Sequence, residues 1–267
     1  MLSRKVICYA YYNSPSSNYN LDFFIKKEVC YRNNIDYILV INGFDCPVSL
    51  PNIENLKIIR RENSGYDFGC HSVALDYIKE QNKTYDYFIF MNSSVIGPII
   101  PGYIKDTHWS TYFTDKINDK VKLVGTTICC LPHSDAGGYG PKVEGFCFVT
   151  DNKGLEIIMD KKTVFKIHEN KYSAIVDGEY GLSNCILNSG YSIDCMISKY
   201  RGIDWSDRSN WNMNSHLHPS RKNTFFGNSL IPYELIFHKW FWSSDDVNYD
   251  TTNVNFEMIK QYVENNC

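Results

Sequence analysis

Apolar runs bracketed by polar residues dominate the first half of the chain. KVICYAYY (Lys5 to Tyr12), DYILVING (Asp36 to Gly43), NLKIIRREN (Asn55 to Asn63) and the YFIFM of YDYFIFMNSS (Tyr87 to Met91) each read as a buried β-strand, and KVKLVGTTICC (Lys120 to Cys130) as a fifth. Between them the period changes. After the polar loop NSPSSNYN, LDFFIKKEVCYRNN sets Phe23, Phe24, Lys27 and Val29 at roughly helical spacing, and SGYDFGCHSVALDYIKEQN opens a second helix. Strands alternating with helices predict an α/β domain: a mainly parallel central sheet with helices on both faces. In such sheets ligands bind beyond the carboxyl ends of the strands. The segments after Tyr12, Val40, Arg61 and Met91 are therefore expected to converge on one crevice.

The second half is less regular. GFCFVTDNKGLEIIMD reads as a strand running into a helix, and DGEYGLSNCILNSGYSIDCMI as a helix opened by acidic residues and followed by a strand. The chain then turns polar and aromatic until LIPYELIFHKWFW, which reads as a last helix before a polar tail. With no repeat or linker, the economical division is one domain over 1–267. Residues 1–130 make its first half, 131–242 its second and 243–267 a tail.

Composition removes several classes. A net charge of −3, without a long basic run, argues against a nucleic-acid partner. The ten cysteines contain no C-x-x-C pair, and Cys8 and Cys147 sit inside apolar strands, where a thiol acts as a small hydrophobe. The opening MLSRKVICYAYY lacks the apolar core of a signal peptide, and no run of about 18 apolar residues occurs. A cytoplasmic protein without a transmembrane segment is the expectation.

Two segments concentrate the candidate chemistry. RRENSGYDFGCHSVAL puts Gly65 and Gly69 where a helix begins, a place suited to an anion; the same pattern also suits an ordinary strand-to-helix turn with Asp67 as a first-turn acid. Asn92-Ser93-Ser94, before Gly97-Pro98, ends a central strand either as a simple turn or as a ligand-facing row. Asp177 and Glu179 precede an amphipathic helix, complementing its dipole or offering a general base.

In order along the chain, RRENSGYDFGCHSVAL, YDYFIFMNSSVIGPIIP, KVEGFCFVTDNKGLEII, GEYGLSNCILNSGYSI, YRGIDW and HPSRKNTFFGNSLIPYELIFHK resemble the rhamnan synthesis protein F family of glycosyltransferases and its eukaryotic and viral relatives. The resemblance spans about Val6 to Lys239 and implies a GT-A-like fold, with a nucleotide-sugar-binding half over about 1–130 and an acceptor-binding, catalytic half over about 131–242. It implies transfer of a sugar from a UDP-, GDP- or dTDP-linked donor to a glycan or glycolipid, with a carboxylate as general base. A catalytically silent sugar-nucleotide- or glycan-binding protein with that fold is the alternative.

The resemblance also implies roles. Asn13 and Asn42 would face the nucleotide, and Asn63, Gly65 and Asp67 the ribose and donor sugar. Glu179 is the first choice for the base and Asp177 the second. Most GT-A enzymes carry Asp-x-Asp, which holds Mn²⁺ or Mg²⁺ against the donor diphosphate, where this chain has Asn92-Ser93-Ser94. Amide and hydroxyl groups are poor ligands for such hard cations, so a divalent cation is not required on this reading. Arg221, Lys222, His238 and Lys239 are then candidates to offset the diphosphate charge; His238 matches a position that often touches metal or phosphate, yet also reads as a packed core histidine. Trp205 and Trp211 suit stacking on acceptor sugars or, equally, ordinary packing.

Overall fold

The computed structural model describes residues 2–104, 106–132, 138–221, 223–239 and 256–266. Strand β1 (Lys5–Tyr12) leads to helix α1 (Pro15–Glu28), then β2 (Ile35–Asn42), β3 (Leu56–Arg61), α2 (Tyr66–Glu80), β4 (Tyr87–Asn92) and β5 (Val95–Ile96). The short α3 (Ser110–Thr114), β6 (Val121–Gly125), β7 (Ile128–Cys129), β8 (Lys142–Val143), β9 (Cys147–Asp151) and α4 (Asn152–Asp160) follow. Next come α5 (Lys171–Ser173), a π-helical segment (Ala174–Tyr180), α6 (Gly181–Asn188), β10 (Ser192–Cys195), α7 (Pro232–Leu235), β11 (His238–Lys239) and α8 (Phe256–Asn266).

Seven strands form the central sheet in the order β10-β6-β9-β4-β1-β2-β3. All neighbours are parallel except β9, which runs antiparallel between β4 and β6. This is the expected single α/β domain with a mainly parallel sheet. Alternation along β1 explains its unbroken apolar run: Val6, Cys8 and Ala10 pack on the face covered by α2, whereas Ile7, Tyr9 and Tyr11 pack on the face covered by α1. A strand buried on both faces has no polar positions to reveal its period.

Three elements differ from the sequence expectation. Helix α1 begins inside NSPSSNYN, because Ser14 caps it by accepting from the Ser17 N–H and Pro15 suits the first turn. The run Lys120–Cys130 is two strands. It leaves the main sheet after Gly125, where an added Cβ would lie 2.5 Å from Val143, and re-forms as β7 in a separate ribbon with β8. The last helix is only Pro232–Leu235; Ile236 then turns over (φ 68°) and drops Phe237 against Trp109, while His238–Lys239 pair with β5. Residues 240–255 of the expected helix and tail lie outside the described residues; in α8, Ile259 and Val263 are buried with Phe23, Ile96 and Ile99.

Candidate functional site

A cleft of about 540 Å³ opens at the carboxyl ends of β1, β2 and β4. The sheet register sets its floor: Tyr12 lies beside Asn42, and Ala10 beside Asn92. The start of α2 forms one wall through Tyr66, Asp67 and Phe68. The π-helical segment lines the cleft through Ala174, Ile175 and Glu179, its Gly178 lying against the Phe68 ring.

The strand-end row is an organised turn. The Asn92 side-chain amide donates to Asp67 Oδ2 at 2.7 Å, while its carbonyl oxygen accepts the Ser94 backbone N–H at 3.0 Å and the Ser94 hydroxyl at 2.6 Å. Asp67 Oδ1 accepts the Phe68 N–H at 3.0 Å. Ser93 is buried, and its backbone bonds Ala10 and the Asn20 amide. On the β2 side, Asn42 donates to Asn63 Oδ1 at 3.0 Å and accepts from the Ser64 N–H at 3.2 Å. Burial pushes the Asp67 carboxyl above its ordinary range; the Asn92 bond opposes this and the charge of Glu179 adds to it.

Gly65 caps α2 with φ 71°, and a Cβ there would sit 2.8 Å from Ile167 Cα, so glycine is required by conformation and by space together. It shapes the wall without lining the cleft.

Glu179 owes its position to the π turn. On an α-helix, residues five apart diverge by about 140°; the wider i→i+5 turn stacks them, so Ala174 and Glu179 face the cleft together. Glu179 Oε2 pairs with Lys142 Nζ at 2.8 Å, behind the cleft wall. Burial works to lower the Lys142 pKa, but Glu179, Cys129 and Glu144 hold it well above the ordinary lysine value. Asp177 points elsewhere on the same segment and pairs with Lys166 at 2.9 Å.

Of the remaining sequence candidates, Lys239 reaches the cleft, with its ammonium 5.8 Å from the centre of the Phe146 ring. Asn13 donates to Asp45 in an exposed loop and does not line the cleft. Nor does Arg221, whose carbonyl accepts from Thr224. Lys222 lies outside the described residues. His238 is 4% exposed, with its Nε2 on the Pro232 carbonyl; burial lowers its pKa to about 4 against that bond, so the ring is neutral at pH 7. Trp205 is 1% exposed and packs on Tyr200, and Trp211 donates to the Trp205 carbonyl at 3.0 Å beside Tyr139. Neither tryptophan lines the cleft.

The cleft adds Lys171 and, behind it, Lys142. A signal for Lys142 existed: in KVEGFCF, Lys142 and Glu144 alternate with Val143, so strand pairing must turn both charges to one face. No signal in the sequence marks Lys171.

The donor set at the strand end is one carboxylate, one amide and two serines. Asp67 has Oδ1 on a backbone N–H and Oδ2 on Asn92, and Asn92 Oδ1 is doubly used. This set does not fit a hard divalent cation bridging a diphosphate, which needs carboxylate oxygens free to point at it.

No family model and no curated protein matches the chain. Among solved structures it is similar to a mannosyltransferase from Pyrobaculum calidifontis in complex with GDP-Man and Mn²⁺ (10% identity over 72% of this chain and 54% of that one, TM-score 0.43). It is likewise similar to the glycosyltransferase GlyE of Streptococcus pneumoniae (11% identity, 98% of this chain and 60% of that one, TM-score 0.44). A third is the catalytic domain of Drosophila β1,4-galactosyltransferase 7 complexed with xylobiose (8% identity, 72% and 64%, TM-score 0.37). The chain thus spans between 54% and 64% of the length of these structures. At such low similarity no family, site residue or activity carries over to this chain. Among the described residues no helix is long and apolar enough to cross a membrane.

Proposed function

We propose that this chain is a glycosyltransferase that binds a nucleotide-sugar in the cleft and transfers the sugar to a glycan or glycolipid hydroxyl. The observation that carries this reading is the placement of two carboxylates, Asp67 and Glu179, in one cleft at the carboxyl end of the mainly parallel sheet. Asn42 and Asn63 offer amide groups to the nucleoside, and Asp67 accepts from donor hydroxyls. Because the strand-end residues do not fit a hard cation, no step is drawn through one. Lys171 and Lys239, with the first turn of α2, are the groups that offset the diphosphate charge.

In the transfer, Glu179 takes the proton of an acceptor hydroxyl as that oxygen attacks the anomeric carbon. The bond from that carbon to the diphosphate oxygen breaks, the nucleoside diphosphate leaves, and the configuration inverts. Lys142 engages Oε2, so the proton arrives at Oε1. The same ion pair favours a second reading, a sugar-nucleotide-binding protein without turnover, because the Lys142 ammonium already occupies one oxygen of the carboxylate that would take the proton.

The experiment is a thermal-shift screen of UDP-, GDP-, dTDP- and CMP-sugars with Mn²⁺ and with EDTA, followed by donor turnover with the ligand that binds. A shift with turnover that Glu179→Ala abolishes is expected. A shift with no turnover under any acceptor condition selects the binding protein, and no shift from any nucleotide sugar removes both readings.

A further inference from the structure

Behind the cleft, the β7–β8 ribbon gathers a second cluster. Cys129 is paired across the ribbon with Lys142. Glu144 lies two residues beyond Lys142, so its side chain falls on the same face and diagonal to Cys129. His218 closes the group from the stretch between β10 and α7, with Nδ1 3.0 Å from Glu144 Oε1. The Cys129, Glu144 and His218 donor atoms all lie within 4.8 Å of one another. We propose that Cys129, Glu144 and His218 form a binding site for a thiolate-accepting transition metal ion, Zn²⁺ above all.

Three observations support it beyond proximity. The first is chemical type: a sulfur, an imidazole nitrogen and a carboxylate oxygen suit Zn²⁺, whereas Mg²⁺, Ca²⁺ and Mn²⁺ prefer oxygen alone. The second is distance. Two ligands on a tetrahedral Zn²⁺ stand roughly 3.3 Å apart, as follows from metal–ligand bonds of about 2.0–2.1 Å; the His218–Glu144 pair is already within 0.3 Å of that. The third is support from neighbours. Thr127 donates to Glu144 Oε2 at 2.6 Å, leaving Oε1 for the ion. The His218 loop is anchored on both sides, by His216 Nδ1 at 3.0 Å from the Cys130 carbonyl and by Thr224, which donates to the His218 carbonyl. Cys129 and Glu144 are 2% and 3% exposed.

Charge follows the same direction. A metal ion takes Cys129 as the thiolate and His218 as the neutral imidazole, and the two anions Cys129 and Glu144 then neutralise a divalent ion. Lys142 is then left wholly to Glu179, so the interior carries no net charge.

The test is a titration of the chelator-stripped full chain with Co²⁺, then competition by Zn²⁺. Expected are one equivalent per chain and a near-ultraviolet thiolate-to-Co²⁺ absorption that persists in Cys30→Ser, which removes an exposed thiol, and vanishes in Cys129→Ser. Zn²⁺ affinity should fall about 100-fold or more in Cys129→Ser and His218→Ala. Absence of the band in the native chain, or its survival in Cys129→Ser, overturns the site. Should Cys129→Ser not fold, the Co²⁺ titration of His218→Ala, an exchange at the least buried of the three positions, decides the matter; an unchanged band and affinity there rejects the proposal.

Discussion

Asn92 donates its side-chain amide to Asp67 Oδ2 at 2.7 Å, joining the end of the central strand β4 to the first turn of α2. A neutral partner at this point lets a half-buried carboxylate stand at the floor of the cleft without a cation. The replacement Asn92→Asp would put two carboxylates in that contact. Folded stability at pH 7 in EDTA should then fall by about 1–3 kcal/mol, since the hydrogen bond becomes a like-charge contact. Millimolar Mn²⁺ should restore it. Urea unfolding with and without Mn²⁺ checks this, and equal stability of variant and native chain in EDTA would contradict it.

For Asp67→Asn, ligand binding and stability should part company. The folded pKa of Asp67 is raised, so its ionisation opposes folding; that cost is full above the raised pKa and absent below the unfolded value near 3.8. The variant should therefore melt no lower than the native chain at pH 7, with any advantage closing as the pH falls. Donor affinity should drop about 10- to 100-fold through loss of a charged hydrogen-bond acceptor. Melting curves at several pH values, beside donor titrations, measure both.

Substituting Glu179→Gln keeps an oxygen for Lys142 while removing the base. Transfer should decline about 10²- to 10⁴-fold with donor Kd within a few fold of native. A parallel loss of donor binding would assign Glu179 to binding rather than proton transfer.

Acid should unfold the chain in part through two buried histidines. Burial lowers His71 to about 3 and His238 to about 4, against 6.5 for the free group. The unfolded chain takes up these protons first, so stability declines as the pH drops below about 6.5, by about 1.4 kcal/mol per pH unit for each histidine. Among the described residues, His71 Nε2 has no hydrogen-bond partner in its cage of Phe68, Phe90, Phe148 and Phe165. His71→Leu should accordingly be at least as stable at pH 7 and show a shallower slope between pH 6.5 and 4.5. Denaturant midpoints across that range provide the comparison.

The strands of the first half were legible because burial on both faces writes itself as a continuous apolar run; β1 and β2 lie within a residue of their expected positions. The crevice followed from topology, and Asn42, Asp67, Asn92 and Glu179 do meet there. What escaped depends on contacts distant in sequence. Lys142 and Glu179 are joined only because β8 packs under the π-helical segment. The break at Gly125 is imposed by the side chain of Val143, which no local pattern announces. His238 and Trp205 carry functional-looking chemistry in the sequence, but aromatic and histidine side chains fill cores as readily as they line sites, and here both are buried away from the cleft.

The π-helical segment makes the position of Glu179 a matter of chain length as well as residue identity. A π turn is an α-helix carrying one residue too many. Wound as an ordinary α-helix, the same residues would set Glu179 about 140° from Ala174 and out of the cleft; with one residue fewer between them the two would be four apart, about 40° on an α-helix, and would again share the cleft face. The π turn thus absorbs one residue of length without moving the carboxylate, so in a lineage of such chains this wall could differ by one residue with its cleft face unchanged.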